Sequence, residues 1–233
     1  MQLVINHLTR MRGERICVAG VGAAGHVRPI TRKDTPLTRD LLKENGGPLA
    51  IGALVDVGDA RPDPSPPETE DHWVWVDRWR AIDQLGADDY LELVDAHCEE
   101  TLEAVFGPKL QRHEWTYAVD EGQGTVSLGC LRPRDRPDIE VNQYGSVRLR
   151  FNDPSKPAFL PVTDLRLFEP EGAPRGAVVG EVADRMRRGV GVRLMLGLGR
   201  AWTKDGDEQP RHWLQVNGLC LEDRPLGDGG QGV

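Results

Sequence analysis

Apolar and polar positions alternate over short stretches for most of this chain. Gln2 to Leu8 and Arg15 to Val21 read as strands, joined through Thr9-Arg10-Met11-Arg12-Gly13-Glu14, where the glycine allows a turn. Leu37 to Lys43 reads as a short helical turn ended by Asn45-Gly46-Gly47-Pro48. Leu49 to Val57 has the pattern of a buried strand. Arg61 to Pro67 carries four prolines and predicts an extended loop, followed by the extended Trp73-Val74-Trp75-Val76. From Asp88 to Phe106 the period changes. Leu91, Val94, Cys98, Leu102 and Val105 form one stripe at helical spacing, Asp88 and Asp89 suit a helix N-terminus, and Gly107-Pro108 closes the run. The acids Glu92, Asp95, Glu99 and Glu103 fall off that stripe and are expected in solvent, as is His97.

Beyond Trp115 the strand pattern returns. Ala118 to Val126 is broken by a turn at Glu121-Gly122-Gln123-Gly124, and Ser127 to Leu131 is a short strand. Ile139 to Phe151 reads as a hairpin with its tip at Tyr144-Gly145. Its second arm places Val147, Leu149 and Phe151 on one face and Arg148 and Arg150 on the other. Phe159 to Phe168 is a further strand, Val178 to Arg188 a short helix, and Gly191 to Trp202 and His212 to Leu221 the last strands. The glycine-rich residues 224–233 are expected to be a disordered tail. Strands that do not alternate regularly with helices argue against a doubly wound sheet. The fold class is mainly β with a few helices (α+β), arranged as two small, partly open, OB-like barrels. The first covers residues 1–112 with an added helix near 88–106, and the second covers residues 113–223.

One run competes with that reading. Gly20-Val21-Gly22-Ala23-Ala24-Gly25 spells GxGxxG after the apolar Ile16-Cys17-Val18-Ala19, and Ala50 to Val55 ends in Asp56. A dinucleotide site, however, needs a helix after the glycines. Pro29 would break that helix, Arg28 before it is pushed toward extended geometry, and the next residues have no apolar stripe. A strand, a glycine-rich turn and a second strand displaying His26 and Arg28 fit better.

Composition adds limits. Of 233 residues, 27 are glycine and 17 proline, which suits many turns and short elements. No apolar run is long enough for a membrane span, and no signal peptide is evident at the start. Cys17, Cys98, Cys130 and Cys220 stand singly and are expected to be small core residues in a reducing cytoplasm. The net charge of −8 disfavours indiscriminate nucleic-acid binding, but the charge is polarised. Residues 1–39 hold seven basic residues against two acids, and residues 56–103 hold fifteen acids against three arginines. A local basic face still attracts anions, since distant charge is screened.

The opening LVINHLTRMRGERICVAGVGAAGHVRPI, the Gly46-Gly47-Pro48 step, Glu70-Asp71-His72 and the closing His212-Trp213-Leu214-Gln215-Val216-Asn217-Gly218 resemble a bacterial dual OB-containing domain family, over nearly the whole chain. The resemblance implies two OB-like barrels, a fold that often binds oligonucleotides. The expected partner is a single-stranded nucleic acid or nucleotide. The expected site residues are Asn6, His7, Arg10, His26 and Arg28 at one rim, with Tyr144, Arg148 and Arg150 on the second barrel. The competing view of the second group pairs both arginines with Glu140, Asp153 or Asp164. Trp202 and Trp213 are expected to be mostly buried. No GxSxG, HExxH or P-loop is present, and no catalytic residue, metal or cofactor is expected. Two alternatives stand beside this: a protein–protein adaptor using the acidic helix 88–106, or a nuclease-like or transferase-like enzyme using His7 and His26 with a carboxylate such as Asp56.

Overall fold

The first strand, β1 (Gln2–Arg10), runs through the middle of the molecule. It pairs on one edge with β2 (Ile16–Gly22) and on the other with β4 (Ala53–Asp56), both antiparallel, and its register shifts between Ile5 and His7. β3 (Gly25–Ile30) continues the sheet beyond β2. The computed structural model describes residues 1–32, 34–154 and 156–227. GxGxxG is a hairpin turn in it: Gly22 pairs with Gly25, whose φ of +113° an L side chain rarely adopts. The sheet is completed by β5 (Arg61–Pro62), β6 (Asp71–Trp73) and β7 (Arg80–Gln84), in the order β5-β6-β3-β2-β1-β4-β7.

The stripe expected to be one helix from 88 to 106 is two helices with a strand between them. They are α1 (Ala87–Asp95), β8 (Cys98–Glu99) and α2 (Leu102–Phe106). Pairing decides the break. Cys98 and Glu99 extend to bond in parallel with Cys130 and Leu131, and Thr101 restarts the helix by accepting from the Ala104 amide at 3.1 Å. The apolar spacing survives because its two ends serve different cores: Val94 packs in the first, Leu102 and Phe106 in the second.

Two further sheets follow. β9 (Gln111–His113), β10 (Thr116–Asp120), β11 (Leu128–Leu131), β15 (Val192–Leu198) and β16 (Arg211–Leu221) join β8 in the order β8-β11-β15-β16-β10-β9. β12 (Asp138–Val141), β13 (Val147–Asp153) and β14 (Lys156–Pro161) form a separate antiparallel meander. The helix α3 (Gly176–Arg187) packs against it. The strand expected from Phe159 to Phe168 stops at Pro161. Asp164 then caps a single helical turn, Leu165–Leu167, by accepting from the Arg166 amide. Residues 224–227, expected in a disordered tail, are folded back: the amides of Arg224 and Gly227 bond to Leu221 and Arg224, and Leu226 packs on the first core. The rest of that tail, 228–233, lies outside the described residues.

The two cores interlock. Cys130, Leu165, Met195 and Cys220, all late in the chain, complete the core built by residues 3–94. Cys98 and Cys130, expected to be separate core thiols, face each other across the β8–β11 pair and form a disulfide. Among the described residues no helix is long and apolar enough to cross a membrane.

Candidate nucleic-acid interface

Strict alternation in β13 produces a polar outer face on the meander. Val147, Leu149 and Phe151 are buried, so Arg148 and Arg150 must point the other way. In β14, Ala158 and Leu160 are buried, which turns Phe159 to the same outer face, directly opposite Arg150. The guanidinium carbons of Arg148 and Arg150 lie 5.5 and 5.4 Å from the centre of the Phe159 ring, Arg150 directly across the strand pair and Arg148 on the diagonal, opposite Pro161. Across the sheet, Glu140 and Asp138 stand opposite Arg148 and Arg150. Yet among the described residues neither arginine forms an ion pair, and both lean toward the ring instead. Asp153 accepts from the Leu102 amide, and Asp164 holds Arg166. None of the three acids that would have made these arginines purely structural takes them.

The face continues sideways. The Phe159 amide bonds to the Trp115 carbonyl at 2.6 Å, and Arg112 reaches the Pro157 carbonyl while lying 5.9 Å from the Trp115 ring centre. Trp115 is 58% exposed. Tyr144 is 81% exposed at the hairpin tip, which Asn142 holds by accepting from the amides of Tyr144 and Ser146. Partial burial lowers the proton affinity of Arg148, whose Nε is buried without a partner. Phe159, Trp115 and Arg112 were not singled out in the sequence. The alternation of Pro157, Phe159 and Pro161 against Ala158 and Leu160 was the signal that would have placed Phe159 here.

The expected rim of Asn6, His7, Arg10, His26 and Arg28 is not assembled. Asn6 and His7 are 2% and 1% exposed, inside the sheet rather than at its edge. His7 meets His26 edge to face at 5.8 Å, and His26 meets His97 in the same way at 5.8 Å. His97, expected on the surface, is half-buried, with Nδ1 at 2.9 Å from the Leu93 carbonyl. Burial, then His26, then Arg28 push the His7 pKa well below its ordinary value. Burial, then His97, push His26 down to about 4. Both rings are therefore neutral at pH 7. Asp56 lies opposite Gln2 at the other end of β1, paired with Arg80, and so does not join them. Arg10 lies apart, its guanidinium stacked 4.2 Å from the Phe168 ring centre.

Arg28, expected to be exposed enough to grip a phosphate, is 5% exposed and donates from Nε to Asp71 at 2.6 Å. Strand pairing forces this contact, because Arg28 and Asp71 are register partners in the parallel β3–β6 pair. From Asp71 a polar chain crosses to the second sheet. Arg200 bonds Asp71 at 2.6 Å and lies 3.3 Å from Glu68, and the His212 Nδ1 is 3.2 Å from Glu68. Glu70 accepts from the amides of Ser127 and Leu128 and from the Ser127 hydroxyl, fixing the start of β11. Asp95, expected in solvent, is held by Arg193 through two bonds of 2.7 and 2.9 Å and also by Arg132, which together keep its carboxyl below the usual range. The motif residues Arg28, Glu70, Asp71 and His212 thus join the two halves. Trp202, expected to be buried, is 53% exposed, whereas Trp213 is half-buried. Among the described residues no group of three or more His, Cys, Asp or Glu is arranged to hold a metal.

A mostly β chain with one sheet curled into a half-barrel is of the OB-barrel class, a fold suited to binding in general. The family model for the dual OB-containing domain matches residues 1–219, and the chain belongs to that family. No curated protein matches it.

Proposed function

We propose that this chain binds single-stranded nucleic acid on the outer face of the β12–β14 meander. Arg148 and Arg150 carry the reading. Both lie against the Phe159 ring and have no acidic partner among the described residues, although two acids stand opposite them. A guanidinium stacked on a ring offers one planar face to a base and its edge donors to a phosphate. Trp115 and Tyr144 provide further exposed rings within the same half. A face of stacked planes with few base-edge donors suits sequence-tolerant binding of single strands rather than groove readout of a duplex.

The test is fluorescence anisotropy with short labelled DNA and RNA single strands at low and moderate salt. Native protein is expected to bind more weakly as salt rises. The double variant Arg148→Ala, Arg150→Ala should bind at least about tenfold more weakly, and its log–log salt slope should be shallower by about 1.4, two phosphate contacts at about 0.7 each for single strands. Unchanged affinity and slope in a folded variant would overturn the assignment, as would failure of the native chain to bind either strand at low salt.

A further inference from the structure

A second site lies at the seam between the two halves. An open cavity of about 180 Å³ is lined by the β1–β2 turn at Met11, Arg12 and Gly13, by Arg10 and Arg39, and by the loop Pro170–Gly172. We propose that this cavity is a built site for a phosphate-type oxyanion. Its lining carries three arginines, Arg10, Arg12 and Arg39, against one acid, Glu171. Arg39 is only 8% exposed, its Nε has no hydrogen-bond partner, and its Nη2 makes only a 3.4 Å contact to the Glu169 carbonyl. The Nε of Arg10 is likewise buried and unpartnered. Neither arginine, nor Arg12, forms an ion pair among the described residues. Buried guanidinium donors are among the most costly groups to leave unsatisfied, and two of them side by side repel each other. Burial, followed by the Arg39 charge, lowers the proton affinity of Arg10. An anion in the cavity offsets that repulsion.

The backbone is shaped to leave this space open. Gly172 has a φ of +91°, and a Cβ there would stand 3.4 Å from the Arg10 Nη1. Gly13, with a φ of +68°, opens the opposite lip. Phe168 holds the Arg10 guanidinium in place from beneath. Main-chain bonds fix the walls: the Arg10 amide to Thr163, the Arg39 amide to Glu14 and the Gly172 amide to Glu169. Glu171 on the rim is exposed and forms no ion pair among the described residues, so it bounds the site without neutralising it. The volume is below the roughly 300–1,000 Å³ of pockets for drug-sized ligands. It therefore takes the oxyanion group alone, either free phosphate or the terminal phosphate of a larger molecule lying outside.

The test is thermal unfolding and calorimetric titration of the full chain with inorganic phosphate, against chloride at matched ionic strength. Phosphate several-fold above its Kd should raise Tm by about 2–4 °C over chloride. Arg39→Gln and Arg10→Gln should abolish the difference. Arg12→Gln, an exposed change that leaves the fold alone, should weaken phosphate at least threefold and decides the matter if the buried variants do not fold. The Arg148→Ala, Arg150→Ala protein should keep the full response, which separates this site from the strand face. Adenosine monophosphate binding no tighter than phosphate assigns the site to the free ion. Binding at least tenfold tighter assigns it to a nucleotide's phosphate. No phosphate-specific rise in the native chain, or an undiminished response in folded Arg12→Gln, overturns the proposal.

Discussion

Arg28 shows how one residue can carry a correct chemical signal and the wrong role. Its place in a strand after a glycine-rich turn was legible, because Pro29 forbade a helix. Its partner was not, because Asp71 is forty-three positions away and meets it only through the β3–β6 pairing. Taking one member from a buried, hydrogen-bonded ion pair leaves the other charge unpaired in a medium that solvates it poorly. Asp71→Asn is therefore expected to cost about 3–5 kcal/mol in chemical denaturation. The double variant Arg28→Met, Asp71→Leu should lose clearly less than Asp71→Asn alone, since the one charge it leaves without Asp71, Arg200, is half-exposed. An equal loss in both would mean that shape at this position, not charge, holds the halves together. Asn6 and His7 illustrate the same limit. Their polarity suggested a rim, but polarity cannot report that β1 is paired on both edges and covered by β16.

At the scale of elements, local rules served best where one face meets one core. The alternation in β13 held, and the short helix read over Val178 to Arg188 is α3, with Val179, Ala183 and Met186 buried. They failed between 88 and 106, where a single stripe feeds two cores and a two-residue parallel pairing interrupts it. Close approach of strands was invisible to pattern alone. A Cβ on Gly20 would lie 2.6 Å from the Val4 carbonyl oxygen in the neighbouring strand. Gly20→Ala is accordingly expected to destabilise by about 1–3 kcal/mol, because backbone must move. Gly180, on the exposed side of α3, meets nothing within 4 Å, and Gly180→Ala should stabilise by about 0.5–1 kcal/mol. Urea midpoints of the two variants check both signs at once.

For the whole molecule, the buried histidines set the response to acid. The unfolded chain takes up protons on His7 and His26 near pH 6.5, while the native state resists until far lower, about 4 for His26. Their contribution to stability is thus complete above about pH 6.5 and falls as pH drops toward 4. His26 alone should contribute a loss of about 2 kcal/mol by pH 5. Native protein is expected to melt lower at pH 5 than at pH 7.5, and His26→Gln should flatten that difference. A Tm independent of pH over this range would mean the rings are hydrated and not sealed. The interlocked cores also bear on how the molecule is made. The strands β1 to β4 leave the ribosome before the later ones, yet Leu165, Met195 and Cys220 must arrive before their core is closed. At 5–20 residues per second, the roughly 200 residues between imply a wait of about 10–40 s. Throughout that interval the nascent chain presents an unfinished apolar surface, which makes its birth, rather than its finished state, the moment of greatest dependence on chaperones.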